Sequence, residues 1–212
     1  MNRKFISKSN RVLRKVLNSE KNIDIIKDLI ESFLEEPVDK IRLNPYLKKY
    51  KNQLPSEEDF GIADVRLKLK NGTELNVGMQ FIDGYYIQNK MLLYYSQIHS
   101  SQLLYNDNRK LAKTITINFL DFEYLHSKSC ISRMQIPSKE KNSDVNKVEM
   151  YMVELPKFVV PSNLGNMNRK EGWLAFLCGN NRDAVDMVIK KFPNIQKLNS
   201  LLNEYWRNER MF

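Results

Sequence analysis

Two segments of alternating apolar and polar residues, separated by a short turn sequence, limit the folds that this chain can adopt. The first covers residues 60–69 and the second residues 73–80, with the turn sequence Lys-Asn-Gly between them. Strands joined by three residues that end in glycine are typical of a β-hairpin in which the glycine takes a left-handed conformation and forms a bulge. The pattern therefore predicts two antiparallel neighbours in a sheet.

The hairpin turn also predicts which residues face each other across the two strands. Pairing Leu69 with Thr73 places Asp64 opposite Gly78, on the sheet face that also carries Asn76 and Gln80. A glycine inside a strand lowers stability and marks a bulge or a close approach of another group. Asp64 is therefore expected to face a gap where a side chain could have stood.

The remaining apolar spacing predicts the order of the other elements. They are helices over 12–17 and 23–34, a strand that begins at Ile41, a helix over 85–105, strands over 114–121 and 148–155, and two or three helices after residue 161. This order predicts an α/β fold in which helices flank a mixed sheet. We expect residues 1–160 to form the core and residues 161–212 to form a helical extension packed on or beside it.

The composition excludes several classes of protein. A chain of 212 residues with 42% hydrophobic residues can bury a substantial core. The two cysteines and two histidines lack the spacing of a zinc site. No apolar run approaches the ~20 residues of a membrane span, and residues 1–17 lack the apolar segment of a signal peptide. We therefore expect a soluble, cytoplasmic protein that makes no contact with a membrane.

Positive charge is concentrated at the beginning of the sequence. The formal net charge is +9, and the first nineteen residues contain no acid. Their basic residues are Arg3, Lys4, Lys8, Arg11, Arg14 and Lys15. Such a segment suits a nucleic-acid phosphate backbone, whose contacts supply affinity independent of sequence. A solvated helical face accounts for the same charges, so both interpretations stay open.

Five motifs in a fixed order carry a resemblance to a known family. They are "DFGIADVRLKL", "ELNVGMQ", "NKMLLYYSQIHSSQL", "KTITINFLDFEY" and "ELPKF". Their order and spacing resemble the PD-(D/E)XK nuclease family transposases, over residues 13–158. The resemblance implies a restriction-endonuclease-like α/β core, DNA as partner and Mg²⁺ or Mn²⁺ as cofactor, and it leaves a homodimer open.

The resemblance also implies roles for individual residues. Asp64 matches the strand acid that binds metal, and the backbone carbonyl of Met79 matches a second metal ligand. Gln80 stands at the position of the superfamily lysine and would orient the attacking water. Gly78 falls where the family has a catalytic glutamate. An ion pair with a neighbouring basic residue is the simpler interpretation of Asp64, since surface charges often have no function.

Two further residues match the family less closely. Glu20 resembles an acid that some members carry near the start of an early helix. Lys90 falls at a position that is often basic and would contact a phosphate or extend its charge into solvent. Glu74 cannot replace the missing acid at 78, because four residues along a strand span about 13 Å.

The glycine at the position of the family glutamate leads to three functional hypotheses. Mg²⁺ prefers oxygen ligands and usually takes one or two carboxylates, so Gly78 is expected to lower metal affinity. The first hypothesis is a Mg²⁺-dependent DNA endonuclease with weak or absent activity. The second is a catalytically defective DNA-binding or recombination accessory protein, and the third is a protein-binding module that retains the fold.

Overall fold

Six strands form one mixed sheet at the centre of the protein. The computed structural model describes residues 12–13, 15–43, 63–70, 73–82, 87–100, 112–135 and 148–209. The strands are β1 (Val38–Leu43), β2 (Ala63–Leu69), β3 (Glu74–Ile82), β4 (Lys113–Leu120), β5 (Ile131–Gln135) and β6 (Val148–Glu154). They lie in the order β1-β2-β3-β4-β6-β5.

The strand directions confirm the predicted mixed sheet. Strands β1, β2 and β3 are antiparallel neighbours, whereas β3, β4 and β6 run parallel. Strand β5 pairs antiparallel with β6 at the edge of the sheet. The sequence interpretation included no strand at β5, and it began the first strand three residues too late, at Ile41 instead of Val38.

Five helices flank the sheet in the described part of the chain. They are α1 (Ile23–Leu34), α2 (Ile87–Ser100), α3 (Arg169–Cys178), α4 (Arg182–Lys191) and α5 (Pro193–Glu209). The described residues between 12 and 17 are also helical. Helix α3 begins with a capping box between Asn168 and Glu171 and ends at Gly179, whose φ of 60° favours glycine.

One face of the sheet, the core face, packs against the N-terminal and C-terminal helices. Alternate residues of β3 and β4, such as Val77 and Ile117, are fully buried there. Phe33 of α1 meets Phe119 of β4 edge to face, with ring centroids 5.7 Å apart. Because side chains alternate along a strand, the residues between them lie on the opposite face.

The C-terminal helices share this core. Trp173 of α3 is fully buried, and its Nε1 donates a hydrogen bond to Asp28 of α1 at 2.7 Å. Lys197 of α5 pairs with Asp24 of α1 at 2.8 Å. These contacts join the C-terminal helices to α1, while the division into a core of residues 1–160 and a helical extension of residues 161–212 stays a prediction.

The opposite face of the sheet, the α2 face, is covered by helix α2. Ile87 and Met91 of this helix pack against Leu120 of β4 and Met152 of β6. The remaining positions on this face of β3 and β4 are mostly polar. They are Asn76, Gly78 and Gln80 on β3 and Thr114, Thr116 and Asn118 on β4. All six are buried, so the α2 face contains a polar row beneath the helix.

A buried carboxylate stabilises the sheet edge on the core face. Glu149 of β6 is 1% exposed and accepts hydrogen bonds from Arg133 and Lys113, and from Gln135 Nε2 at 3.1 Å. Burial alone would raise the pKa of Glu149, but its hydrogen bonds with Arg133, Lys113 and Tyr151 lower that pKa to about 2. Charge pairing therefore holds β5 and β4 to β6.

Candidate active site

The centre of the candidate site is the pairing of Asp64 with Gly78. Asp64 of β2 lies directly opposite Gly78 of β3, which in turn is level with Thr116 of β4. The Leu69 N–H donates to the Thr73 carbonyl at 2.9 Å, as the predicted hairpin requires. Opposed residues in an antiparallel pair have Cα atoms about 5 Å apart. The predicted register of the hairpin is confirmed.

Gly78 is not required by the backbone conformation of the strand. It lies within the paired part of β3, and the described glycine with a positive φ is Gly179. A residue with a side chain can therefore adopt the backbone conformation at position 78. Glycine at position 78 therefore leaves the polar row without a side chain there, although the backbone conformation does not require glycine.

Gln80 is held in place by a hydrogen bond to the next strand. Its Nε2 donates to Asn118 Oδ1 at 2.6 Å, and Gln80 is only 5% exposed. Asn118 is itself fixed, because its Nδ2 donates to the Tyr151 carbonyl at 3.1 Å. The side-chain nitrogen of Gln80 therefore bonds to the neighbouring strand. Its side-chain oxygen, Oε1, is the atom suited to accept a hydrogen bond from a ligand.

The backbone carbonyl of Met79 lies where α2 meets β3. It accepts a hydrogen bond of 3.0 Å from the hydroxyl group of Tyr94, which is 2% exposed. A carbonyl oxygen has two lone pairs. The hydrogen bond from Tyr94 thus orients this carbonyl, which also lies in the β2–β3 ladder opposite Ala63, and its role as a metal ligand stays a prediction.

The polar row continues toward the beginning of β3 and β4. Thr114 is fully buried, and its Oγ1 lies 2.8 Å from Nδ1 of His99 on α2. His99 stacks on Tyr95, with centroids 5.3 Å apart. Asn76 is level with Thr114 and fully buried, yet neither its Oδ1 nor its Nδ2 has a hydrogen-bond partner in the described structure.

The structure does not bring Glu20 to this row. Glu20 is exposed in a 3-10 turn, and the carbonyl of the next residue, Lys21, accepts a hydrogen bond from Lys197 of α5. That turn leads into α1, on the layer that covers the core face. The catalytic assignment of Glu20 stays a prediction, with no described contact to β2 or β3.

The predicted DNA contacts fall largely outside the described residues. These are Arg3, Lys4, Lys8, Arg11 and Arg14. Lys15 is described, and its Nζ donates to the hydroxyl group of Tyr205 at 2.7 Å. Lys90 is placed in the first turn of α2. The structure thus gives Lys15 a partner on α5 and gives Lys90 a position above the sheet.

A divalent metal has a limited set of oxygen donors here. Among the described residues, no group of three or more His, Cys, Asp or Glu side chains could hold a metal ion. At the row, the sequence supplies an aspartate at position 64, level with Gly78, and the described residues supply the Met79 carbonyl and the unpartnered amide oxygen of Asn76. These are hard oxygen donors of the kind Mg²⁺ binds, with fewer carboxylates than it usually takes.

The sequence placed Asn76 on this face but gave it no role in a site. It also gave no such role to several residues of the row and of the helix above it, which are Tyr94, His99, Thr114, Thr116 and Asn118. The alternation of Thr114, Thr116 and Asn118 between Ile115, Ile117 and Phe119 was an available signal, because a half-polar strand buried on both sides implies polar partners.

The motif "ELPKF" has a structural explanation. Glu154 Oε1 accepts hydrogen bonds from the N–H groups of Tyr124 at 2.5 Å and Leu125 at 3.0 Å, and it pairs with Lys157 Nζ at 2.8 Å. Lys157 also donates to the carbonyls of Leu125 and Ser127. This Glu154–Lys157 pair fixes the segment that follows β4, so "ELPKF" and "FLDFEY" form one unit.

Together, the sheet order, the helices on both faces and the polar row beside Asp64 define a restriction-endonuclease-like α/β fold. The family profile of the PD-(D/E)XK nuclease family transposases matches residues 10–211. The chain therefore belongs to the PD-(D/E)XK nuclease family transposases, and the match includes the C-terminal helices. No curated protein and no solved structure matches it significantly.

Family membership fixes the general chemistry and leaves its details open. PD-(D/E)XK nucleases use divalent metals and act on DNA. The family match gives no support for a homodimer. No helix in the described ranges is both long and apolar enough to cross a membrane.

Proposed function

We propose that this chain is a Mg²⁺-dependent DNA endonuclease of the PD-(D/E)XK type whose cleavage activity is weak. One observation supports this most directly. Gly78 lies opposite Asp64 in the β2–β3 ladder, where the family pattern places a glutamate. Among the residues that the structure describes, Asp64 then supplies the one carboxylate at the centre of the site, so metal affinity and cleavage rate are both low.

The residues of the polar row have separate tasks in this proposal. Asp64 and the Met79 carbonyl would hold the cation, which supplies Lewis acidity and counter-charge to the scissile phosphodiester. The carbonyl oxygen of Gln80 orients the attacking water, since its Nε2 is bonded to Asn118. Burial of Gln80 and Asn118 keeps this amide pair in one orientation.

Plasmid nicking tests the proposal with five proteins: the parent chain, Asp64→Ala, Gly78→Glu, Gly78→Gln and Gly78→Glu/Asp64→Ala. We expect slow nicking by the parent and a rate at least about 10-fold higher for Gly78→Glu, with Mg²⁺ or Mn²⁺ present. Gly78→Gln matches the size of the glutamate without its charge, so it should stay at the parent rate. The double variant should also return to that rate.

Two results would contradict this mechanism. Fast nicking by the parent that survives Asp64→Ala would place the active site elsewhere in the chain. Absence of nicking by Gly78→Glu, despite a cooperative thermal transition and binding to duplex DNA, would mean that the family relationship does not extend to catalysis. Circular dichroism and fluorescence anisotropy measure folding and DNA binding for each variant.

Gly78 itself favours a second function, that of a DNA-binding or recombination accessory protein without nuclease activity. In that case the parent would bind duplex DNA but would not nick it at any Mg²⁺ or Mn²⁺ concentration. Negligible affinity for DNA at 50 mM salt would instead favour the protein-binding module. The nicking assay and the anisotropy titration together therefore separate all three hypotheses.

A further inference from the structure

Asn76 is the one residue of the polar row whose side-chain amide is both fully buried and unpartnered. Its exposed fraction is 0%, and the described structure offers no hydrogen-bond partner to Oδ1 or to Nδ2. By contrast, Gln80 and Asn118 bond to each other, and Thr114 bonds to His99. Within the described part of the row, Asn76 is thus the residue whose side-chain amide lacks a hydrogen-bond partner.

An unpartnered amide in this position lowers the stability of the protein. A buried polar group without a partner costs about 1–3 kcal/mol, whereas an apolar group of the same shape would carry no such cost. Native proteins satisfy nearly all buried polar groups. The amide of Asn76 is therefore expected to have a partner that the described residues do not supply.

The position of Asn76 relative to Asp64 identifies the kind of partner. Asp64 pairs with Gly78, and Asn76 precedes Gly78 by two residues on the same face, so Asp64 and Asn76 are diagonal neighbours. Diagonal neighbours in an antiparallel pair are separated by about 7–8 Å. A metal ion that lies about 2.1 Å from one oxygen of each side chain can span this distance.

We propose that Asn76 Oδ1 is a metal ligand that partly replaces the glutamate absent at position 78. The amide oxygen of asparagine is a hard, neutral donor, which divalent cations accept beside carboxylates. Asn76 lies about 6.6 Å along the strand from Gly78, half the distance to Glu74. The inference rests on the proposed function, because it assumes that a metal binds at Asp64.

The neutral charge of asparagine determines how the site differs from that of a two-carboxylate nuclease. Asp64 and Asn76 together supply one negative charge, whereas an aspartate and a glutamate supply two. A cation at this site is attracted by one negative charge instead of two. Its affinity is therefore lower than at a two-carboxylate site and more sensitive to salt. The side chain at position 76 should therefore change the affinity of the protein for a divalent metal, even when no DNA is present.

Mn²⁺ binding without DNA tests this role, with free Mn²⁺ measured by electron paramagnetic resonance. The proteins are the parent, Asn76→Leu, Asn76→Asp and Asp64→Ala. Leucine has the branching of asparagine without its polar atoms, so Asn76→Leu should bind Mn²⁺ about 10-fold more weakly. Asn76→Asp adds a carboxylate and should bind it about 10-fold more tightly.

Thermal melting in the presence of a chelator separates a metal ligand from a structural amide. If Asn76 has no partner in the metal-free protein, Asn76→Leu should melt at the same or a higher temperature than the parent. Its stabilisation by added Mn²⁺ should be smaller than that of the parent. A lower melting temperature in chelator, with an unchanged response to Mn²⁺, would show that Asn76 holds a buried water or a protein group and would overturn the proposal.

Asp64→Ala distinguishes failure of this inference from failure of the proposed function. If Asp64→Ala weakens Mn²⁺ binding and both Asn76 variants leave it unchanged, the metal site stands and Asn76 is not part of it. If Asp64→Ala also leaves Mn²⁺ binding unchanged, the metal site itself is absent and both proposals fail. Ser32→Ala, a buried change within α1, serves as the control for a substitution remote from the α2 face.

Discussion

The side-chain amide of Gln80 donates a hydrogen bond of 2.6 Å to Asn118, on the neighbouring parallel strand. This contact joins the position of the family's catalytic glutamine to a residue that no family motif assigns to the site. Because both residues are buried, the orientation of one amide depends on the other. The effect of Asn118 on catalysis should therefore be indirect and measurable.

The first prediction concerns Asn118 in the Gly78→Glu background. Asn118→Leu removes the acceptor of the Gln80 amide, so Gln80 can no longer hold one orientation toward the attacking water. We expect the nicking rate to fall by about 10-fold, as is usual for loss of a residue that orients a ligand. Affinity for duplex DNA, measured by anisotropy, should stay unchanged.

A second substitution shows whether Asn118 acts through Gln80. Gln80→Leu in the Gly78→Glu background should reduce nicking at least as much as Asn118→Leu, and the combined variant should be no slower than Gln80→Leu alone. Additive losses would mean that Asn118 affects catalysis by another route. Thr116→Ser, a change beside Gly78 that keeps the hydroxyl group to which Asn118 Nδ2 donates at 3.3 Å, tests for general disturbance of the sheet.

The difference between local and long-range pairing explains what the sequence predicted. The hairpin register was predictable because the turn between β2 and β3 fixes the pairing of Asp64 with Gly78. The pairing of Gln80 with Asn118 was not, because β3 and β4 are parallel and are connected through α2, so no turn sets their register.

Two other misses have a similar cause. Strand β5 has three partly exposed polar positions, Ser132, Arg133 and Gln135, and its sequence lacks the clear apolar alternation of a strand. Two of these, Arg133 and Gln135, bind Glu149, a partner that becomes visible only when β6 is placed beside β5. Likewise, the function of "ELPKF" depends on backbone groups about thirty residues earlier in the sequence.

The second prediction is a pH dependence of stability that originates in Glu149. Its folded-state pKa is about 2, below the value of 4.5 for a free glutamate. A depressed carboxyl pKa contributes stability that is fully present above the unfolded pKa and is lost as pH falls through the folded pKa. The free energy of unfolding should therefore decrease by about 3 kcal/mol between pH 5 and pH 2 through this group.

Urea denaturation at several pH values measures this contribution. Glu149→Gln should unfold at a lower urea concentration at pH 7, because it leaves Arg133 and Lys113 without their shared carboxylate. Its stability should also vary less between pH 5 and pH 2 than that of the parent. Equal pH dependence of the two proteins would show that other carboxylates determine acid unfolding.

The third prediction concerns the Glu154–Lys157 pair. Lys157→Met removes a buried partner from Glu154 and two hydrogen bonds from the segment after β4, so it should reduce the free energy of unfolding by about 3 kcal/mol. Hydrogen exchange at the amides of Tyr124 and Leu125 should accelerate, because these groups bond to Glu154.

Lys170→Met provides a matched control for the same chemical change. Lys170 pairs with Glu35, whose side chain is 73% exposed, so its loss should change the melting temperature much less than loss of Lys157. If the two variants are equally destabilised, burial of the Glu154–Lys157 pair has no special importance. Unchanged exchange at Tyr124 in Lys157→Met would show that Glu154 holds the segment without its lysine.

The last prediction separates Lys15 from the other basic residues of the N-terminal segment. Lys15 donates to the Tyr205 hydroxyl group at 2.7 Å and lies 5.1 Å from the centre of the Tyr205 ring. Its charge is thus already engaged with α5, whereas phosphate contacts are proposed for Arg3, Lys4, Lys8, Arg11 and Arg14. Each phosphate contact contributes a slope of about −0.9 to the logarithm of affinity against the logarithm of salt concentration.

Anisotropy titrations of a duplex between 50 and 200 mM salt measure that slope. Replacing the five proposed contacts by glutamine should make the slope shallower by about 0.9 for every contact that is lost, whereas Lys15→Gln should leave it nearly unchanged. Lys15→Gln should instead lower the melting temperature slightly, as Tyr205→Phe should. A slope that changes more with Lys15→Gln than with the five-residue variant would mean that Lys15 leaves Tyr205 to bind phosphate. An affinity that does not respond to salt in any of these proteins would contradict DNA binding through this segment.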